Sequence, residues 1–264
     1  MTPGSEMAAT ARLSAADAAA PATAFERLEH PGLAVRLSAM LGTPIARGYA
    51  LLPRDWQTTL QAQIDRAMAA ALARALTGLE TAPPPARQRL DLVAVGAFGG
   101  FFGWPALMVE LPATTVMLLR TIADAGRREG EDMATAAAKL ACFEVFALGG
   151  PREGDDDAET GFFELRAAAT LHLTGLRPNA LAAPAELPAV AAFLRGVARR
   201  FGVVVGEKAA AQAVPILGAA AGATINGLFF EHFRAVALGH FAVRRLERQY
   251  GEDVVRAAYA QLAD

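Results

Sequence analysis

Apolar residues recur at helical spacing along most of the chain, and this pattern predicts an all-α protein. The clearest case is 54–76, where every fourth position is apolar: Trp56, Leu60, Ile64, Met68, Leu72 and Leu76. Similar spacing predicts helices over about 25–52, from Pro112 to about 127, over 133–148, 160–175 and 187–201, and up to Tyr250, before a short final helix. No segment alternates with the β-branched residues typical of strands. The pattern therefore predicts a multi-helix bundle.

Two longer stretches of the chain carry no formal charge. Residues 92–109 have the sequence LVAVGAFGGFFGWPALMV, and residues 209–230 have the sequence AAAQAVPILGAAAGATINGLFF. Both approach the length of about 20 residues that crosses a bilayer as a helix. Each also contains two glycines four positions apart, which would lie on one helix face and allow close packing of another helix: Gly99 with Gly103, and Gly218 with Gly222.

These charge-free segments have two interpretations. One is a hairpin that lies on or inserts into a membrane, and the other is a pair of Gly/Ala-rich helical hairpin segments packed centrally in the bundle. We favour central packing, because Pro105 and several glycines interrupt the first segment. The second segment is mostly Ala and Gly, which have little affinity for hydrocarbon, and it contains Gln212 and Asn226. A protein that enters the membrane only when triggered is compatible with both interpretations.

Composition and charge narrow the classes of partner. Apolar residues make up 53% of the chain and charged residues 20%, below the roughly 25% typical of soluble domains. The mean hydropathy of +0.27 is high, although much of it comes from Ala, a strong helix former. This balance suggests helices with small-residue contacts and some association with a membrane. The net charge is −2 and no run of Lys and Arg stands out, so we predict no nucleic-acid partner.

The first residues differ in composition from the rest of the chain. Residues 1–24 are rich in Ala, Thr, Ser and Pro and include Glu6 and Asp17. They lack the basic stretch and apolar core of a signal peptide, so we predict a disordered N-terminal tail. Residues 25–262 then form a single helical domain. The expected location is the cytoplasm, with peripheral attachment at the inner face of the cytoplasmic membrane.

Motifs for known chemistry are missing from the sequence. It contains no H-E-x-x-H, C-x-x-C, G-x-S-x-G or phosphate-loop motif, so we predict no metal and no cofactor. The histidines His232 and His240 are eight residues apart, too far to share one metal ion. The acidic stretch 153–159 lacks the alternating pattern of a calcium loop and is interpreted as a solvated loop. The single cysteine, Cys142, lies in an apolar run and is predicted to be a small buried hydrophobe.

The remaining candidate site residues are polar side chains embedded in apolar sequence: Glu110, Arg120, Glu144, Asn226 and His232. Isolated buried charges are costly, so such groups normally have partners. Glu110 and Arg120 are ten residues apart and cannot pair along one straight helix. The favoured roles are helix capping by Glu110 and interhelical hydrogen bonds by Arg120 and Asn226. The alternative is a polar pocket between helices, in which Glu110 or His232 would act as acid or base.

Two groups of short motifs resemble those of the EcsC family. The first group comprises Gly103-Trp104-Pro105, Glu110-Leu111-Pro112 and Leu118 to Ala123, which is similar to the family's Gly-x-Pro, acidic-Leu-Pro and Leu-Arg-x-Ile succession. The second comprises Val214 to Asn226 followed by His232-Phe233, and the similarity as a whole spans about 25–262. The family usually has a Tyr-Gly-x-Asp sequence after the first group, where this chain has the charged stretch 127–132 without tyrosine.

The resemblance implies a bacterial protein that is sometimes encoded beside an ABC-type exporter, and it implies no reaction. We therefore hypothesise a non-enzymatic, membrane-associated accessory protein whose partner is the membrane surface or a membrane transporter. The alternative is a small-molecule-binding protein or enzyme with a polar pocket between helices. Neither hypothesis indicates an oligomeric state.

Overall fold

The computed structural model describes residues 13–29, 33–41, 53–79, 87, 104–150, 162–170, 187–212 and 219–262. Within these ranges the chain forms nine helices and no strand, which confirms the predicted all-α, multi-helix fold. The helices are α1 Ala20–Glu29, α2 Leu33–Leu41, α3 Arg54–Thr77, α4 Trp104–Arg128, α5 Ala136–Leu148, α6 Phe162–Thr170, α7 Leu187–Gln212, α8 Ala219–Tyr250 and α9 Glu252–Ala260.

The two helices α4 and α8 run parallel through the bundle. Near their N-terminal ends, Glu110 of α4 and Phe229 of α8 both contact Lys208 of α7. Near their C-terminal ends, Gly126 of α4 packs against the ring of Phe241 of α8. Because the N-terminal parts meet each other and the C-terminal parts meet each other, the two helices point in the same direction.

Helix α7 runs antiparallel to α8, and α3 runs parallel to α4. Lys208 of α7 lies over Phe229 of α8, whereas Phe201, two turns earlier in α7, packs against Phe233. Helix α3 packs along both α4 and α7. Immediately after α3 ends, the carbonyl of Leu79 accepts a hydrogen bond of 2.8 Å from Arg127 at the end of α4. The first turn of α3 therefore lies at the end of the bundle where α4 begins.

The bundle thus has two chemically different ends. We call the end where α3, α4 and α8 begin and α7 terminates the apolar pole, because the described parts of both charge-free segments lie there. The opposite end, which we call the ionic pole, contains the charged residues of 127–132 and 244–248. From Glu110 to Arg128, a helical rise of 1.5 Å per residue separates the poles by about 27 Å.

Aromatic side chains fill the centre between α5, α7 and α8. The rings of Phe146 and Phe201 have centroids 4.9 Å apart, and those of Phe229 and Phe233 are 5.0 Å apart. Phe229, Phe230 and neighbouring Ile225 are almost fully buried, so these residues of segment 209–230 belong to the core. The glycines Gly99, Gly103 and Gly218 lie outside the described residues. Gly222 lies in α8. Close packing at these four glycines remains a prediction.

The start of α4 differs from the sequence prediction. The helix begins at Trp104 rather than at Pro112, and Pro112 lies in its interior. Pro105 lies in the first turn, where a missing N–H removes no helical hydrogen bond. Pro112 removes one such bond, which typically costs about 3 kcal/mol. Burial of apolar residues along the following turns, including Leu111 and Leu118, offsets that cost.

The buried face of α3 also departs from the predicted stripe. Leu60, Ile64 and Met68 are buried, but Trp56 is 37% exposed and Leu76 is 50% exposed. A helix turns about 100° per residue, so a four-residue repeat drifts about 40° at each step. Over the whole helix this drift carries the first and last members of the stripe off the buried face. Small residues complete that face instead: Ala67, Ala71 and Ala75.

Residues 13–24 have a described structure, so the prediction that they belong to a disordered tail is wrong. Helix α1 starts at Ala20, and Ala24 is fully buried. Upstream of α1, the carboxylate of Asp17 accepts hydrogen bonds from Tyr250 at 2.8 Å and from Arg245 at 2.7 Å. These contacts hold the segment from Leu13 onward against the end of α8. The signals for this packing lie more than 200 residues away in sequence, where local composition carries no information about them.

Candidate functional site

A buried ion pair joins α4 to α7 near the apolar pole. The Nζ atom of Lys208 lies 2.8 Å from Oε1 of Glu110, and the two side chains are 0% and 7% exposed. The ammonium also lies 5.1 Å from the centroid of the Phe229 ring. Burial lowers the pKa of Lys208, and the carboxylate of Glu110 opposes this shift. This pair is a direct connection between the start of α4 and the end of α7.

Further polar groups surround this ion pair. Thr114 lies one turn after Glu110 on the same face of α4, and its hydroxyl is buried. Among the described residues, neither Oγ1 of Thr114 nor Oε2 of Glu110 has a hydrogen-bond partner. Asn226 is 1% exposed and lies three residues before Phe229 in α8. These groups and the ion pair form what we call the polar cluster of the apolar pole.

Glu207, the neighbour of Lys208 in α7, is buried and has no charged partner among the described residues. The residue is 2% exposed, and its Oε1 atom has no hydrogen-bond partner in the described part of the chain. Burial alone raises the pKa of Glu207 to about 7. The carboxyl group therefore changes its charge near neutral pH, where an ordinary glutamate is fully ionised.

A second buried contact, between α5 and α8, involves Glu144 and His240. Oε2 of Glu144 lies 3.4 Å from Nε2 of His240, and both side chains are buried. Burial raises the pKa of Glu144 and lowers the pKa of His240 well below its usual value. Because burial favours the neutral form of each group, we interpret this as a contact of neutral side chains rather than an ion pair.

Two ion pairs flank the Glu144–His240 contact on the side of the ionic pole. Nε of Arg244 lies 2.8 Å from Oε1 of Glu131, and Arg166 lies 2.9 Å from Glu247. His240, Arg244 and Glu247 follow one another at spacings of four and three residues, so they share one face of α8. This face connects α8 to α5, to α6 and to the loop after α4. The arrangement is typical of a structural network, in which each charge has an opposite partner.

The remaining predicted site residues lie elsewhere. Nε2 of His232 is 2.7 Å from the carbonyl oxygen of Gly149, to which its protonated tautomer donates, and burial lowers the pKa of His232. Arg120 is half-buried in α4, and its enclosed Nε atom has no acceptor among the described residues. Glu110, Glu144 and His232 therefore contact three different partners, Lys208, His240 and the carbonyl of Gly149.

A shallow depression of about 450 Å³ occurs at the ionic pole. It is lined by Arg128, Glu129, Gly130, Arg245, Arg248 and Gln249, and none of the five predicted site residues lines it. Its arginines already pair with carboxylates: Arg245 with Asp17 and Glu129, and Arg248 with Glu131. The depression therefore has little excess charge with which to bind an anion.

Sequence reasoning did not select Thr114, Glu207, Lys208 or His240. A signal for Lys208 was present, because Glu110 bounds the first charge-free segment and Lys208 bounds the second. Opposite charges at such boundaries have few other partners in an apolar environment. Cys142 is fully buried, and burial raises the pKa of its thiol, in agreement with its predicted role as a hydrophobe.

In the described ranges, no three His, Cys, Asp or Glu side chains come close enough together to hold a metal ion. None of the helices in those ranges combines the length and hydrophobicity that crossing a bilayer requires.

Comparison with known proteins gives one match. The model of the EcsC protein family matches residues 26–246 of the 264-residue chain. No curated protein and no solved structure matches the chain significantly. The family match includes both charge-free segments and both members of the Glu110–Lys208 ion pair. The chain therefore belongs to the EcsC protein family.

Proposed function

We propose that this EcsC-family protein is a non-enzymatic accessory protein that associates with the membrane surface through its apolar pole. The observation that carries the proposal is that the described parts of both charge-free segments, 104–109, 209–212 and 219–230, lie in the half of the bundle at the apolar pole. The ion pair between Glu110 and Lys208 joins the helices that contain the ends of these segments. Uncharged residues concentrated at one end give a protein a preferred orientation toward a lipid surface.

The position of Trp56 supports this orientation. Trp56 lies in the first turn of α3, at the apolar pole, and is 37% exposed. Tryptophan is enriched at membrane–water interfaces, where its ring contacts apolar groups and its N–H contacts water. Arg54, two residues earlier, is exposed and is suited to contact lipid head groups. An exposed tryptophan at the opposite pole would have argued against the proposal.

In this orientation the ionic pole faces away from the lipid. Its arginines and carboxylates form a hydrated surface that is suited to contacts with another protein. The family resemblance suggests that this other protein is an ABC-type exporter in the same membrane. We therefore propose attachment at the inner face of the cytoplasmic membrane, with a transporter as the partner.

Vesicle co-flotation tests this proposal with a matched pair of variants. The purified protein is mixed with vesicles of phosphatidylcholine alone, or with added phosphatidylglycerol, and is centrifuged through a density gradient. We expect the wild type to float, and Trp56→Ser to float several-fold less because it removes an interfacial anchor. Leu76→Ser changes an exposed residue at the other end of α3 and should float like the wild type. A wild type that remains at the bottom with both lipid compositions contradicts the proposal.

A second candidate function, binding of a small polar molecule, is favoured by the incomplete hydrogen bonding around Lys208. Oε2 of Glu110 and Oγ1 of Thr114 are buried acceptors without partners among the described residues. Buried polar atoms normally have partners, and a bound molecule is one way to provide them. Denaturing extraction of the purified protein followed by mass spectrometry should then release a stoichiometric compound. The extract from a Lys208→Met variant should lack that compound, and identical extracts would exclude this candidate.

A further inference from the structure

We infer that Glu207 is a proton-controlled latch for the end of α7. In this inference the last turns of α7 remain packed while the Glu207 carboxyl is protonated, and they loosen when it ionises. The latch concerns the protein itself and is measurable without lipid. Its consequence for membrane binding, which is given below, rests on the proposed function.

The geometry that carries the inference is a buried carboxyl beside a satisfied ion pair. Lys208 has its partner in Glu110, whereas Glu207, one residue earlier, is 2% exposed and has no ionic partner in the described structure. Burying a neutral carboxylic acid in such a place costs about as much free energy as burying any other uncharged polar group. A carboxylate without a partner is far more costly to bury, so ionisation favours any conformation that exposes Glu207 to water.

The helices packed against α7 present little that could stabilise a charged Glu207. Helix α3 presents Gln61 and Ile64 at Gly202, and α8 presents the ring of Phe229. Helix α5 presents Phe146 and a backbone carbonyl, to which Arg200 of α7 donates. None of these groups titrates.

Two charged groups on helices that pack against α7 have partners other than Glu207. Glu110 of α4 accepts from Lys208, and Arg166 of α6 pairs with Glu247 of α8. The charge of Arg36 in α2 contributes to the lowered pKa of His232. The rise in the pKa of Glu207 accordingly has burial as its cause. The latch therefore depends on one proton rather than on a network of charges.

Movement of Glu207 is coupled to the ion pair by the helix itself. Glu207 and Lys208 are consecutive residues in α7, which ends five residues after Glu207, at Gln212. A rotation or unwinding that brings Glu207 to water also moves Lys208 away from Glu110. Ionisation of Glu207 therefore weakens the contact between α7 and α4 at the apolar pole.

The direction of the pH dependence follows from the two protonation states. The pKa of Glu207 is about 7 in the packed state, and its ordinary value of 4.5 applies in the open state. The open state therefore gains population as the pH rises toward and through 7. With these values, the ratio of open to packed protein rises about tenfold between pH 6 and pH 8.

Hydrogen exchange followed by mass spectrometry measures this ratio directly. In the wild type, the protection of peptides from residues 200–212 should fall about tenfold between pH 6 and pH 8, after correction for intrinsic exchange rates. Glu207→Gln keeps a neutral side chain of the same size and should show no such fall. Glu26→Gln, which neutralises an exposed glutamate of α1, should behave like the wild type. An unchanged pH dependence in Glu207→Gln, or none in the wild type, would overturn the latch.

Flotation on vesicles containing phosphatidylglycerol tests the consequence for membrane binding. The negative surface potential of such vesicles concentrates protons and favours the neutral form of Glu207. We expect the wild type to float better at pH 6 than at pH 8, and Glu207→Gln to float equally at both. If exchange responds to pH as predicted but nothing floats at either pH, the latch stands and the proposed membrane function fails.

Discussion

Removing one partner of the buried Lys208–Glu110 pair should strongly destabilise the protein. At 2.8 Å and an effective dielectric constant of about 20, the attraction between the two charges is about 6 kcal/mol. The cost of taking both charges out of water offsets much of this attraction. Lys208→Met, however, leaves the carboxylate of Glu110 buried without its partner. We expect this variant to lose about 3–5 kcal/mol of unfolding free energy, and Glu110→Met to lose a similar amount.

The double variant Lys208→Met/Glu110→Met separates the ion pair from simple packing. It removes both charges and leaves apolar side chains of similar length, so its stability should lie within about 2 kcal/mol of the wild type. Two single losses of at least about 3 kcal/mol and a double loss of at most about 2 kcal/mol give a coupling energy of about 4 kcal/mol or more. Urea unfolding followed by circular dichroism at pH 7 measures all three variants.

A surface pair provides the matched control for this cycle. Arg128 and Asp124 lie 3.0 Å apart at a four-residue spacing in α4, with side chains 54% and 23% exposed. Arg128→Gln removes the exposed partner and should cost no more than about 0.5 kcal/mol, because water and salt screen this pair. Losses below about 1 kcal/mol for Lys208→Met, or a double variant as unstable as the sum of the single variants, would refute the reasoning.

Three further predictions concern packing and pH. In urea unfolding, Gly239→Ala should lose about 1–3 kcal/mol of unfolding free energy, because its new Cβ would lie 2.7 Å from Leu28. The Cβ of Gly196→Ala meets nothing within 4 Å, so this variant should gain about 0.5–1 kcal/mol. Leu60 is fully buried and Leu76 is 50% exposed. Leu60→Ala should therefore lower the unfolding free energy by about 2–5 kcal/mol and Leu76→Ala by less than about 0.5 kcal/mol. Equal losses would contradict the assigned buried face of α3. The pKa of His240 is lower in the folded than in the unfolded protein, so its contribution to stability should be lost as pH falls below 6.5. His240→Gln should show a weaker decline in thermal stability between pH 6.5 and pH 5, and an identical decline would argue against a neutral buried histidine.

The sequence was sufficient to predict the fold class, the family and most helix positions. Helical spacing of apolar residues is a local signal, and it located α3, α5 and the later helices. The start of α4 was misplaced because Pro112 resembles a helix start in sequence, and only tertiary burial permits it inside a helix. The exposed ends of the α3 stripe were misassigned because a four-residue repeat is not the helical period.

The site was predicted less well, for a different physical reason. Glu110 and Lys208 are 98 residues apart, and their contact depends on the relative placement of α4 and α7. Local spacing therefore identified Glu110 as a polar residue in apolar surroundings but not its partner. Glu207 was missed because an acidic residue beside a lysine resembles an exposed helix surface in sequence. Only its burial and its missing partner distinguish it.

Quenching of tryptophan fluorescence by brominated lipid tests the orientation at the membrane most directly. Both native tryptophans, Trp56 and Trp104, are in the first turns of helices that begin at the apolar pole. The reporter variant Trp56→Phe/Trp104→Phe/Gln249→Trp carries a single tryptophan at the exposed end of α8, at the ionic pole. We predict strong quenching of the wild type by vesicles of brominated phosphatidylcholine and phosphatidylglycerol, and no quenching of the reporter variant. Quenching confined to the reporter variant, or absent from the wild type, would contradict membrane association through the apolar pole.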